Sequence, residues 1–379
     1  MNLRFLNKLH TSLKGYRCSV YLYAFADLNV GDDLFLHKLI SSYPDVRFVM
    51  IARPPYKQML SRYPNVTVWE EGSFPLRLCS KLGIAEKISW RISHECDFAV
   101  YIAGSIFMEY PEWENQHLWY RELFDNQRLY FLGCSWGPCR TKEFETNMAD
   151  VLSGVKDICF RDRYSYRTFS HLPNVRYAPD ILLGLDWSKF AGIEEKKQVL
   201  ISVVDCNAES INLEKYASEY NQHMTCLAEQ FARRGYDVIL CSFWENGGDL
   251  KAAEEILRLL SPQARAKASV VSYCGTNMED ILLAIAESEY VVATRFHATI
   301  LAMVAGKKVL PVIYHIKTRN VLEDLSFQGP YLDIQNLPKD SAGIIDGITR
   351  GISSRERETL AQLAAGHFEA VNRVLRDET

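Results

Sequence analysis

Arg295 and His297 close an apolar run at residues 290–294 and stand just before a helix-like stretch, residues 298–305. A guanidinium grips carboxylates and phosphates through paired N–H donors, and an imidazole accepts and returns protons near neutral pH. A strand, turn and helix in that order is where open α/β sheets bind ligands. A second apolar run, residues 308–314, brings Tyr314 and Lys317 to what should be the same sheet edge. The four side chains are therefore expected to converge on one pocket. A lone histidine beside an apolar helix is more often a core residue, but the neighbours of this one favour chemistry. In a first helical turn the dipole disfavours imidazolium, and Arg295 repels a second positive charge, so a neutral imidazole able to accept a proton is expected.

Other turns that follow apolar runs carry polar groups. In Asn29-Val-Gly-Asp32 the glycine suits a strained turn, Asp32 is placed to cap the next helix, and Asn29 and Asp32 offer hydrogen bonds to a polar acceptor. In Ala103-Gly-Ser105, Gly104 permits close backbone approach by a phosphate or sugar and Ser105 supplies a hydroxyl. The stretch Gly133-Cys-Ser-Trp-Gly-Pro138 would complete a polar lip. Arg161-Asp-Arg-Tyr-Ser165 places Arg161 at the sheet edge, as an anion clamp or an ion-pair partner, with Asp162 capping the helix that follows. Asp180, after Pro179, either orients Arg161 or serves as an acid or base.

The elements that must position these groups form two runs. Residues 18–180 alternate Val-, Ile-, Tyr- and Phe-rich runs with amphipathic stretches, the pattern of an α/β sheet. Strands are expected at residues 19–25, 46–52, 66–69, 97–102, 128–133, 157–160 and 175–178, with helices such as 32–41 and 113–124. The charged segment 186–197 reads as a connection. A second run places strands at 198–204, 236–243, 268–273, 289–294 and 308–313, and helices near 214–234 and 249–260. The expected domains are residues 1–190 and 197–352, two α/β domains facing each other across a cleft. Residues 353–379 should form a C-terminal closing helix that opens on the capping box Ser353-Ser-Arg-Glu356.

Composition excludes several functions. The 379 residues are 48% hydrophobic, enough for two or three domains, and the formal net charge of −4 offers no field for nucleic acid. The ten cysteines include no Cys-x-x-Cys pair and read as reduced, buried thiols of a cytoplasmic protein. No stretch reaches the ~20 apolar residues of a membrane-spanning helix. Two basic segments are candidates for peripheral contact with the inner face of the membrane: residues 1–17, and residues 74–93, where Arg77, Lys81, Lys87 and Arg91 share a helical face with Ile84 and Ile88. A solvated charged face is the simpler account of the second. Walker A, His-Glu-x-x-His and Asp-x-Asp sequences are absent, as are paired histidines on one helix face, so no metal site is expected.

Taken in order, Asn29-Val-Gly-Asp32, Ala103-Gly-Ser105, Gly133-Cys-Ser-Trp-Gly-Pro138, Arg161-Asp-Arg-Tyr-Ser165, Pro179-Asp180, Thr294-Arg-Phe-His297 and Tyr314-His-Ile-Lys317 resemble the polysaccharide pyruvyl transferase family. The resemblance spans residues 18–326. One departure is visible, since the family commonly has two glycines where this chain has Ala103-Gly104. The resemblance implies two Rossmann-like domains arranged as in B-type glycosyltransferases. It also implies phosphoenolpyruvate as donor, a sugar unit of a surface polysaccharide or its lipid-linked precursor as acceptor, and no cofactor. On that basis Arg161, Arg295, Lys317, Tyr314 and Ser165 would bind the donor, and Asn29, Gly31, Gly104 and Ser105 would line the acceptor side. His297 would move protons, as base toward a hydroxyl or acid toward the methylene, with Asp32 or Asp180 as counterpart. Two other readings are a sugar-nucleotide-dependent glycosyltransferase of the same fold and a non-catalytic glycan-binding protein.

Overall fold

A computed structural model describes residues 15–73, 76–81, 85–115, 128–208, 213–338 and 343–377. Among these the chain divides into two compact units. One comprises the residues up to Ala26, Asp32–Ile181 and those from Ala365 onward; the other comprises Asp27–Gly31 and Leu182–Ala364. The change of unit at Ile181 falls before the expected connection, because Leu182 and Leu183 of the short 3-10 turn Ile181–Gly184 are already buried.

The first unit holds seven parallel strands: β1 (Cys18–Ala24), β2 (Val46–Ala52), β3 (Val66–Glu70), β4 (Phe98–Ile102), β5 (Leu129–Cys134), β6 (Asp157–Phe160) and β7 (Val175–Tyr177), in the order β3-β2-β1-β4-β5-β6-β7. Every residue of β5 and β6 is buried. This is why these strands read as continuous apolar runs, since helices cover both faces of a parallel sheet. Strand order reverses between β1 and β4, which pair from Val20↔Phe98 to Ala24↔Ile102. The turns carrying Asn29-Val-Gly-Asp32 and Ala103-Gly-Ser105 therefore leave the sheet at its switch point, where doubly wound sheets place ligands.

The second unit repeats the plan with β8 (Lys196–Ser202), β9 (Asp237–Ser242), β10 (Ala268–Ser272), β11 (Ser288–Ala293), β12 (Lys308–Ile313) and β13 (Leu332–Asp333), ordered β10-β9-β8-β11-β12-β13 and parallel throughout. Its switch point lies between β8 and β11, and Arg295 leaves the sheet there. Two helices carry Gly31, Asp32 and His297. Val30–Ser42 is buried from Val30 to Ile40 except at Lys38, and Phe296–Val304 is buried at all nine positions. Helices buried on every side are embedded rather than lying on the surface, and side chains at their ends are correspondingly fixed.

Several expectations need correction. The first helix starts at Val30, so Asp32 lies inside its first turn; Asn29 precedes the helix, and its Oδ1 accepts from the Gly31 amide at 3.0 Å. The expected helix at 113–124 falls largely outside the described residues, as do residues 1–14 and Ile84. Ile88 is buried with Ile92 in the core of the first unit, so it leaves the basic stripe of Arg77, Lys81 and Arg91, whose side chains are exposed. Cys226 and Cys274 are exposed rather than buried. No helix among the described residues is long and apolar enough to cross a membrane.

The C-terminal stretch is not one helix. Ser353 and Glu356 do form the reciprocal capping box, with Ser353 N donating to Oε2 at 2.7 Å and Glu356 N to Oγ at 3.3 Å. The helix they open, Ser354–Ala364, gives way to a 3-10 turn, Ala365–Phe368, and then to helix Glu369–Asp377, which belongs to the first unit. Gly366 sits at the break.

His367 in that turn is fully buried, donating from Nε2 to Pro179 O at 3.0 Å and accepting at Nδ1 from Gly133 N at 3.3 Å, a tautomer assigned from these partners. Burial pushes its pKa down to about 3, and burial beside Arg62 does the same to His37. Both histidines take up protons more readily when unfolded, so their contribution to stability is fully present above pH ~6.5 and is lost as pH falls from there toward 3. Each should add a slope approaching ~1.4 kcal/mol per pH unit in that window. Urea denaturation at pH 7, 5.5 and 4 should show this, and His367→Gln should flatten the profile. An unchanged slope in the variant would place the titration elsewhere.

Candidate functional site

In the second unit, Thr294 N and Arg295 N donate to Ser202 O and Oγ at 3.1 and 3.2 Å, which ties the end of β11 to β8. The Arg295 side chain then runs to Asp249, the first residue of helix Asp249–Leu259. Its Nε donates to Oδ2 at 2.8 Å and Nη2 donates to Oδ1. Its Nη1 lies 3.5 Å from the Tyr314 hydroxyl, and its Cζ lies 5.1 Å from the Trp244 ring centroid. Asp249 is fully buried and accepts from the Phe243 and Trp244 amides at 3.1 and 3.0 Å. Burial pushes its carboxyl above the usual range, while Arg295 and these amides pull it back.

Residues Asp27–Gly31 belong to this unit and are fastened to the turn after β9. Asn29 bridges Trp244, Val30 N donates to Phe243 O at 3.1 Å, and the Trp244 indole donates to Asp27 Oδ2 at 2.7 Å. Gly31 is needed here for space. A Cβ on it would fall on Nδ1 of the His297 imidazole, so the ring occupies the space that any side chain at this position would need. His297 is the second residue of its helix and 8% exposed. Lys317 reaches over Phe296, its Nζ 5.9 Å from the ring centroid, and its backbone amide is capped by His315 Nδ1 at 3.2 Å. The structure thus gathers Asn29, Gly31, Arg295, His297, Tyr314 and Lys317 in one unit.

The first unit gathers a second group. Gly104 N donates to Asp32 Oδ1 at 3.1 Å across the switch point. Arg161, 3% exposed, donates through Nη1 to Asp180 Oδ2 at 3.2 Å, and through Nη2 to Ser105 and Ser135 at 3.4 and 3.3 Å. Gly104 makes room for this guanidinium, since a Cβ there would lie 2.8 Å from Nη1. Asp180 is fully buried and holds Arg161, which suits the first of its two expected roles better than free acid–base work. Ser165 does not face a ligand: fully buried, its hydroxyl donates to Asp162 and accepts from Trp136 N at 2.7 Å, completing the Asp162 helix cap. The expected lip at 133–138 is likewise interior up to Gly137, with Cys134, Ser135 and Trp136 buried, and only Pro138 is exposed.

The chain's sequence matches the polysaccharide pyruvyl transferase family over residues 29–316. The chain belongs to this family. The matched span holds every residue gathered in the first group except Lys317. No curated protein sequence matches the chain. Among solved structures, this pyruvyl transferase family member is similar to Anabaena HepE in complex with UDP, at 13% identity and TM-score 0.55 over 95% of this chain and 100% of that one. HepE in complex with UDP and glucose gives 14% and 0.53, over 93% and 96%. Sucrose-phosphate synthase from Thermosynechococcus elongatus gives 12% and 0.54, over 96% and 100%. These likenesses show the fold, two parallel-sheet α/β domains of the B-type glycosyltransferase kind. Membership of the pyruvyl transferase family makes the chain an enzyme, a transferase that modifies polysaccharide.

Asp249, Trp244, Asp27 and His367 were missing from the expected site. Asp249 was accessible in principle: it follows Gly247-Gly248 beyond an apolar strand and opens a helix, the same placement that singled out Arg295.

Proposed function

We propose that the enzyme transfers the pyruvyl group of phosphoenolpyruvate onto two hydroxyls of one sugar unit, in a surface polysaccharide or its lipid-linked precursor. The observation that carries the proposal is the group formed by Arg295, Tyr314, Lys317 and His297 within one unit: cations for a carboxylate or phosphate beside one proton-transfer group. The donor's methylene carbon gains a proton, one hydroxyl oxygen bonds to the adjacent carbon, phosphate leaves, and the second hydroxyl closes the ketal. Of the two hydroxyl protons, one ends on the new methyl group and the other on the released phosphate. His297 is the group proposed to carry them.

A sugar nucleotide is the competing donor, because HepE, of similar fold, is described with UDP and with UDP-glucose. Thermal unfolding with each ligand separates the two. Phosphoenolpyruvate at a hundredfold excess over its dissociation constant should stabilise the protein by ~2.7 kcal/mol, and UDP-glucose should leave the transition unmoved. Stabilisation by UDP-glucose alone would transfer the assignment to glycosyl transfer. Phosphate release from phosphoenolpyruvate that depends on a glycan acceptor is the direct assay.

A further inference from the structure

Arg295 is fixed by a residue that none of the family motifs contains. Asp249 engages the Nε and Nη2 edge of the guanidinium and is itself anchored by the Phe243 and Trp244 amides. The Trp244 ring lies against the guanidinium at 5.1 Å, and its indole N–H is held by Asp27 at 2.7 Å. With that edge engaged, Nη1 is the nitrogen directed to Tyr314. We propose that Asp249 is a positioning residue for donor recognition: it fixes Arg295 so that the Nη1 side is presented to the donor's anionic group beside Tyr314, while Trp244 holds the guanidinium plane. This rests on Arg295 being a donor-binding group. An arginine ordered in advance binds its anion without giving up side-chain freedom at that moment, so the effect belongs to affinity.

The alternative is that the buried pair serves folding alone. Asp249→Asn keeps the size and an oxygen for the amides but loses the charge. The test measures phosphoenolpyruvate binding by calorimetry and inhibition by inorganic phosphate in wild type, Asp249→Asn, Arg295→Ala and the double variant. Asp249→Asn should weaken both about tenfold or more, with KM rising further than kcat falls. In the Arg295→Ala background the same change should add less than about twofold, because neighbours acting through one group are not additive. Unchanged binding in Asp249→Asn, or an equal loss in both backgrounds, overturns the proposal. If Asp249→Asn does not fold, Trp244→Leu takes its place with the same readouts, and unchanged phosphate inhibition there overturns it too. Wild-type binding in Arg295→Ala would instead bring down the donor-site reading, and this proposal with it.

Discussion

Gly31→Ala is expected to lower acceptor-dependent phosphate release about 100-fold or more while the protein stays folded. The two effects of the change have opposite signs. Alanine favours a helix over glycine by ~1 kcal/mol, and position 31 lies in the first turn of Val30–Ser42, so backbone propensity gains. The new methyl group, however, needs the space that Nδ1 of His297 occupies, and the imidazole must leave its place. A displacement of about 1 Å at a proton-transfer group can cost ~100-fold, and removing such a group outright typically costs 10²–10⁴-fold, roughly the range expected for His297→Ala. Paired measurement of kcat and melting temperature checks this. Full activity in Gly31→Ala would mean that the reaction does not use His297 in this position.

Asp180→Ala should destabilise the protein by ~3–5 kcal/mol, the usual cost of removing one partner from a buried ion pair. Arg161 and Asp180 are 2% and 0% exposed at their side chains, and the alanine would take away the carboxylate that accepts from Nη1. Chemical denaturation of the two proteins at pH 7 measures the difference. Loss of turnover at unchanged stability would return Asp180 to the catalytic role that its sequence position also allowed.

All twelve expected strands lie within two residues of those observed at each end, because a parallel sheet buried on both faces leaves uninterrupted apolar runs in the sequence. The two-residue β13 was missed, being too short to make such a run. The convergence of Arg295, His297, Tyr314 and Lys317 was legible for a related reason: adjacent β11 and β12 in one parallel sheet deliver their following turns to the same edge. Asp249 was not, since its link to Arg295 depends on β9 and β11 flanking β8, which spacing along the chain does not reveal. Ser165, which the resemblance placed on the donor, is instead turned inward to the Asp162 helix cap, and burial rather than local sequence separates the two roles. The early start of the first helix hid behind Val30, a residue with little intrinsic preference for that conformation.

His367 and helix Glu369–Asp377 complete the first unit, yet they are encoded after the whole of the second. Domains commonly fold in turn as the ribosome delivers them, but here the earlier one lacks its closing piece until the later one has been made. Gly133 and Pro179 therefore wait for their imidazole through most of translation. Nascent chains stalled before residue 365 should bind chaperones through the N-terminal half, and the order of synthesis and the order of completion should prove to be reversed.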